Sequence, residues 1–188
     1  LDLVEQQIKV AQNEALEISQ EDLTINGHAI ELRLCAEDPA NDFLPSIGKL
    51  DVYQKPPQPF VRVDDCVEQD YEIPIYYDNM FAKLIVWGKD RNEAIKRMIE
   101  AIDSFKIDGI KSTLEFGKYV MLHPNFVSGN FNTHFIEEHY GSESLQEMHH
   151  AEEEAAAVLA AWIRENAHTV VMADTPRDSA WYRQRRNA

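Results

Sequence analysis

An arginine two residues from a glutamate on a strand-like run, Glu31-Leu32-Arg33, is the feature of this chain most able to do chemistry. From His28 to Cys35 apolar and polar residues alternate. A pleated strand therefore sets Ile30, Leu32 and Leu34 on one face and Glu31, Arg33 and Cys35 on the other. Glu37 and Asp38 follow just beyond the run. A guanidinium stays charged and offers a planar fork of donors, so an arginine mounted on a strand among carboxylates suits oxyanion binding. The same residues also make an ordinary surface or half-buried Arg–Glu ion pair, which is the commoner arrangement. Both readings stand on residue type alone.

Other candidates are weaker. His28 lies beside Asn26-Gly27 and reads as a solvated turn residue. Asp78 sits in the aromatic loop Pro74-Ile75-Tyr76-Tyr77-Asp78-Asn79-Met80; such loops contact ligands in some proteins and more often simply pack. His134 follows Asn132 and Thr133, two residues that cap helices. The pair His149-His150 stands next to Glu152, Glu153 and Glu154 without H-E-x-x-H spacing, so it reads as a solvated helix face and no metal is expected. The seven glycines, at 27, 48, 88, 109, 117, 129 and 141, are scattered. They form no phosphate-cradling loop, P-loop or G-x-S-x-G elbow, and there is no CxxC.

The elements that must position Arg33 can be read from hydrophobic periodicity. Leu1, Val4, Ile8, Ala11 and Ala15 predict a helix over about residues 2–17, with Asp2 and Glu5 as an acidic capping box. Asn26-Gly27 between Leu23-Thr24-Ile25 and the run from His28 predicts a hairpin. Further strands are expected at residues 50–53, 60–63 and 82–87, with prolines 45, 56, 57, 59 and 74 in loops or at edges. Asp90 and Glu93 cap a helix whose stripe is Ile95, Met98, Ile99, Ile102 and Phe105. Ser112 and Glu115 open another, which His123-Pro124 ends. Strands followed by helices predict an α+β domain with an antiparallel sheet over residues 1–140.

Residues 141–188 differ, with ten alanines and a net charge of −3 from five basic and eight acidic residues. Ser144 and Glu147 predict a cap for a helix running to Ile163, and the basic segment 177–188 reads as a solvated linker.

Composition bounds the function. With 18 basic and 33 acidic residues among 188, a formal charge of −15 disfavours nonspecific nucleic-acid binding. An apolar share of 44% supports a buried core, and no apolar run has the roughly 20 residues of a membrane span. Two cysteines, Cys35 and Cys66, make no disulfide framework and fit a reducing cytosol. The first residue is Leu1, with neither an initiator methionine nor a signal peptide, which suggests a piece of a longer chain.

Seven segments then occur in one collinear order over residues 1–140: Leu1 to Gln7, Gly27 to Pro39, Phe43-Leu44-Pro45-Ser46, Tyr76-Tyr77-Asp78-Asn79-Met80, Lys83-Leu84, Asp108-Gly109-Ile110-Lys111 and Asn132-Thr133-His134-Phe135. In that order they resemble the C-terminal domain of biotin carboxylases, more closely that of acetyl- or propionyl-CoA carboxylases than that of pyruvate carboxylase.

The resemblance implies a fold of the rudimentary single-hybrid type with a helical tail, and an ATP-dependent ligase. In that family ATP and bicarbonate form carboxyphosphate, which yields CO₂ and phosphate, and the deprotonated biotin ureido group attacks CO₂. It implies that Arg33 stabilises the enolate oxygen, with Glu31 and Glu37 supporting it, and that His134 lies on the adenine side of ATP. Asp78, Phe60 and Arg62 match the subunit-contact region, with the phenylalanine displaced by one position. The family's ATP-grasp machinery, with its magnesium carboxylates, lies upstream of the position matching Leu1. This stretch alone is therefore expected to be inactive and to hold neither ATP nor biotin.

The implied partners are the upstream ATP-grasp domain, a biotin carboxyl carrier protein, a second copy in a homodimer, and the carboxyltransferase. The implied location is the cytoplasm, or mitochondria in a eukaryote. The Ala- and Glu-rich tail resembles the longer acyl-CoA carboxylase chains. Two alternatives accompany this reading: a noncatalytic dimerisation scaffold, and the same domain from a pyruvate or urea carboxylase.

Overall fold

A computed structural model describes residues 1–57, 59–74, 76–141 and 143–167. The predicted basic linker at 177–188 lies outside the described residues. The first compact unit spans Leu1–Leu145, and a second begins at Gln146.

Helix α1 (Leu3–Ala11) starts where Asp2 accepts hydrogen bonds from the N–H groups of Val4 and Glu5, at 3.0 and 3.1 Å. It stops six residues short of the predicted end. Asn13 takes a left-handed conformation at φ 62°, and the Glu14 N–H turns back to the Lys9 carbonyl, a common way to terminate a helix. None of its residues is buried, so no packing extends it.

Strand β1 (His28–Cys35) does not form the predicted hairpin. Leu23 to Ile25 is not a strand, and Ile25 is 99% exposed. The short strands β2 (Glu37–Asp38) and β3 (Leu44–Pro45) pair with each other. Strands β4 (Gly48–Lys49), β5 (Val52–Gln54), β6 (Val61–Asp65) and β7 (Glu72–Ile73) follow, and then β8 (Met80–Gly88). β1 pairs antiparallel with β8, which pairs antiparallel with β6, giving the order β1-β8-β6.

Gly27 does adopt the positive φ that the Asn-Gly signal called for, at 74°. Its role is spatial as well: a Cβ there would lie 2.5 Å from the Trp87 ring. The Trp87 indole N–H donates to the Asn26 carbonyl at 3.0 Å. Long-range pairing with β8 thus displaces the local turn.

Helix α2 (Arg91–Ser104) follows β8. Asp90 accepts from the Glu93 N–H at 2.9 Å, and the Glu93 carboxylate reaches back to the Lys89 N–H at 2.7 Å, one residue before the cap. Its inner face buries Ala94, Ile95, Met98, Ala101 and Ile102, closely matching the predicted stripe. Strand β9 (Lys106–Asp108) pairs with β5, and β4 pairs with β7. Helices α3 (Leu114–Leu122), α4 (Pro124–Ser128) and α5 (Phe135–His139) complete the first unit. α3 ends before Pro124, as the proline predicts.

The result is an α+β domain with antiparallel sheets. Its core packs Leu34, Leu84 and Val86 of the sheet against Met98 of α2, with Leu50 alongside. Among the described residues the final helix is α6 (Ser144–Ala167), whose first helical residue is Ser144, the residue expected to cap it. The predicted pair His149-His150 falls within it, and their side chains lie outside the described residues.

Leu84 is fully buried in the central strand. Leu84→Ala should lower stability by about 2–5 kcal/mol through lost transfer energy and a residual cavity. Urea unfolding of the 188-residue chain checks this. A loss below about 1 kcal/mol would mean that the sheet–helix core is not the stabilising centre.

Candidate active-site face around Arg33

The alternation of β1 holds: Ile30 and Leu34 are buried with Leu32 packed against the core, while Glu31 and Arg33 face outward. Register then decides which residues join them. Arg33 stands opposite Lys83 on β8, and Lys83 stands opposite Asp64 on β6. One row back, Glu31, Ile85 and Arg62 line up in the same way. The outer face of the sheet thus carries charges of both signs, with Arg33 and Lys83 as like-charged neighbours.

Two arginines on this face are held differently. Arg62 is clamped by Asp64, with Nε and Nη2 donating to the two carboxylate oxygens at 2.7 and 2.8 Å. Those hydrogen bonds first, and then the charges of Arg62 and Lys83, hold the Asp64 carboxyl below the usual carboxylate range. Arg33 makes a looser pair, Nε to Glu31 Oε1 at 3.5 Å, and its side chain is 69% exposed. Lys83 Nζ approaches the same Glu31 oxygen at 3.9 Å. Exposed pairs of this kind contribute about 0–1 kcal/mol, so stability is a poor explanation for the cluster. No hydrogen bond engages the Arg33 guanidinium among the described residues, whereas Arg62 makes two to Asp64, so the Arg33 fork is available to an oxyanion. Lys83 also lines an open groove of about 500 Å³ with Val63, Asp64, Cys66 and Met80.

The backbone beneath Arg33 is fixed by Thr113. Its hydroxyl donates to the Arg33 carbonyl at 2.9 Å and accepts from the Cys35 N–H at 3.0 Å. The Thr113 N–H donates to the Cys35 carbonyl at 3.1 Å. Thr113 is a buried polar residue, and its three bonds satisfy its own hydroxyl and N–H while tying it to this end of β1.

The remaining predicted site residues fall elsewhere. Glu37, beyond an irregularity in pairing between Leu34 and Cys35, accepts from Asn79 Nδ2 at 2.5 Å, so it anchors the loop before β8. Asp78 in that loop is exposed and accepts from the Met80 N–H at 3.0 Å. Phe60 lies over the Arg97 guanidinium, 4.0 Å from the ring centroid. His134 precedes α5 with its ring exposed, Nδ1 3.0 Å from Glu137. Its N–H donates to Asn132 Oδ1 at 2.7 Å, a local turn ahead of the helix; His134 itself occupies the N-cap position, with no side-chain cap, so neither Asn132 nor Thr133 caps α5.

Sequence reasoning singled out neither Lys83 nor Thr113 nor Asn79 as a site residue. Lys83 had a readable signal, a charge inside an apolar run, but its neighbours appear only once the strands are paired. Among the described residues no group of three or more His, Cys, Asp or Glu side chains is placed to hold a metal, and no helix is long and apolar enough to cross a membrane.

The face therefore belongs to an α+β domain that presents an open guanidinium on the outer side of an antiparallel sheet. Residues 31–138 match the family model described as the biotin carboxylase C-terminal domain. The chain belongs to that family. It is 48% identical over 139 residues to a pyruvate carboxylase subunit from Methanothermobacter thermautotrophicus, covering 74% of this chain and 28% of that protein. It is 44% identical over 142 residues to the mitochondrial propionyl-CoA carboxylase alpha chain of Homo sapiens, covering 74% and 20%. Among solved structures it resembles the biotin carboxylase domain of a thermophilic 2-oxoglutarate carboxylase bound to bicarbonate. That match has a TM-score of 0.69 and 39% identity, and covers 77% of this chain and 32% of the other. The chain thus spans less than a third of each of these relatives.

The local chemistry around β1 can be tested in two ways. Thr113→Val keeps the shape but leaves the Arg33 carbonyl and the Cys35 N–H without their partner; urea unfolding should show a loss of about 1–3 kcal/mol. Burial first, and then the carboxylates of Glu37 and Asp78, push the Cys35 thiol up. Cys66 is exposed. Iodoacetamide at about pH 7.5 should therefore alkylate Cys66 several-fold faster than Cys35, read by peptide mass spectrometry. Faster labelling of Cys35 would contradict the environment assigned to it.

Proposed function

We propose that this chain is the C-terminal part of an ATP- and bicarbonate-dependent biotin carboxylase, and that Arg33 stabilises the negative charge on the biotin ureido oxygen as carboxylation proceeds. The observation that carries this reading is the open fork of Arg33, in a chain of this family, beside an Arg62 whose fork is closed by Asp64. Biotin, presented by a carrier protein, is the substrate on this side of the site. When its ureido N–H is lost, charge develops on the oxygen, and a donor already in position needs no reorganisation to meet it.

Glu31 supports the guanidinium directly through Nε. Glu37 supports it at one remove, by fixing Asn79 and the loop before β8. His134 is proposed to lie on the adenine side of ATP; its ring is exposed, with Nδ1 against Glu137. Asp78, Phe60 and Arg62 are proposed as the contact with a second copy in a homodimer. ATP and magnesium are assigned to an upstream ATP-grasp domain, so residues 1–188 alone are expected to be inactive. A carboxyltransferase completes the assembly.

The relatives serve different acceptors, pyruvate, propionyl-CoA and 2-oxoglutarate by their names. An acyl-CoA is the acceptor proposed here, on the resemblance of the α6 tail to the longer acyl-CoA carboxylase chains. The biotin-carboxylase domain is taken as residues 1–140 with a tail from 141. The location is taken as the cytoplasm, or mitochondria in a eukaryote.

Arg33→Ala in the complete enzyme should lower carboxybiotin formation by about 10²–10³-fold, the usual loss for one oxyanion donor. The thermal midpoint should stay unchanged, because the side chain is exposed. Unaltered carboxylation by a folded variant would overturn the role given to Arg33.

A further inference from the structure

We infer that Lys83 is a positioning residue for Arg33, acting through Glu31 to keep the guanidinium open; this rests on the reading of Arg33 given above. Arg33 and Lys83 are direct cross-strand partners on β1 and β8. Like charges in that position repel, so something must justify placing a lysine there. Glu31 lies between them. The same oxygen, Oε1, is 3.5 Å from Arg33 Nε and 3.9 Å from Lys83 Nζ.

Lys83 has one other carboxylate at hand, Asp64, its register partner on β6. Both oxygens of Asp64 are already engaged by Arg62 at 2.7 and 2.8 Å. Among the described residues Glu31 is the carboxylate within 4 Å of Lys83 Nζ, and it is the one Lys83 shares with Arg33.

The consequence concerns what Glu31 would do alone. A carboxylate two residues along a strand from an arginine can close on its fork, as Asp64 closes on Arg62 across the same face. A closed fork offers an incoming oxyanion no paired donors, and it cancels the positive charge that the oxyanion requires. With Lys83 drawing on Glu31, the carboxylate stays at the Nε edge, and the three side chains together carry one net positive charge. Lys83 thus prevents Arg33 from being neutralised by its own neighbour. The effect is felt when charge develops on the ureido oxygen, and much less when neutral biotin binds.

The test uses the complete biotin carboxylase with biotin as the varied substrate, measuring carboxybiotin formation and checking each variant's thermal midpoint. Lys83→Met and, as a second neutral replacement, Lys83→Gln should each lower kcat about 5–20-fold with the KM for biotin changed less than about twofold. Lys83→Arg should recover most of the loss. Adding Glu31→Gln to Lys83→Met should also recover activity, because the carboxylate that captures the fork is then gone; a structural role for Lys83 predicts no such rescue. In an Arg33→Ala background Lys83→Met should add nothing further.

Full activity in both neutral variants, or an equal loss when Arg33 is already absent, would overturn this inference while leaving the role of Arg33 in place. If Arg33→Ala itself leaves carboxylation intact, the functional reading fails first, and the inference with it.

Discussion

The pairing register of β1, β8 and β6 is the constraint on which the rest of the structure depends. Leu84 lies at its centre, fully buried and flanked in register by Leu32 and Val63. Because side chains alternate, a slip of one residue in β8 would turn Leu84 and Val86 out to solvent and drive Lys83 into the core. Burying an unpaired ammonium is costly enough to forbid that slip. The apolar stack inside the sheet and the row Arg33, Lys83, Asp64 outside it are therefore two faces of a single register.

That inner stack also decides where Thr113 sits. α3 approaches β1 so closely that a Cβ on Gly117 would lie 2.3 Å from the Leu32 side chain. Glycine at this position permits the approach, and the approach brings Thr113, the residue preceding α3, within reach of the Arg33 and Cys35 backbone. On the far side Gly88 plays a similar part, since a Cβ there would lie 2.5 Å from the Ala94 backbone of α2. Two close contacts, both dependent on the absence of a side chain, thus set α3 against β1 and α2 against β8.

What could be read from sequence follows the range of each interaction. The outward placement of Glu31 and Arg33 needed only the period of a strand, and α2 needed only Asp90 and its stripe of apolar residues. Both are local, and both are found as expected. The hairpin at Asn26-Gly27 was a local signal overruled at long range: the glycine adopts the turn conformation, while the strand it was meant to fold back finds β8 instead. The overlong first helix failed for the opposite reason, because its apolar repeat has nothing to pack against and Asn13 ends it. Lys83 and Thr113 stand 50 and 80 positions beyond Arg33, and no spacing rule connects residues so far apart. The family resemblance pointed to Arg33 with Glu31 and Glu37 beside it, and gave Lys83 and Thr113 no role.

The contrast between Arg62 and Arg33 shows how one sheet face can hold a clamped and an open guanidinium side by side. Each lies two residues from a carboxylate on the same strand, and each is largely exposed. Arg62 and Asp64 meet fork to fork, so a ligand oxygen would have to displace two short hydrogen bonds before reaching the arginine. Arg33 meets Glu31 through a longer contact, Nε to an oxygen that also answers to Lys83, and no hydrogen bond closes its fork among the described residues. In open solvent that difference is worth little, since exposed pairs amount to less than about 1 kcal/mol. Covered by another domain, as the proposed function requires, the same charges would interact several-fold more strongly in a lower dielectric. An arginine left weakly engaged at the surface is then the one able to respond when charge appears opposite it, whereas a clamped one stays with its partner.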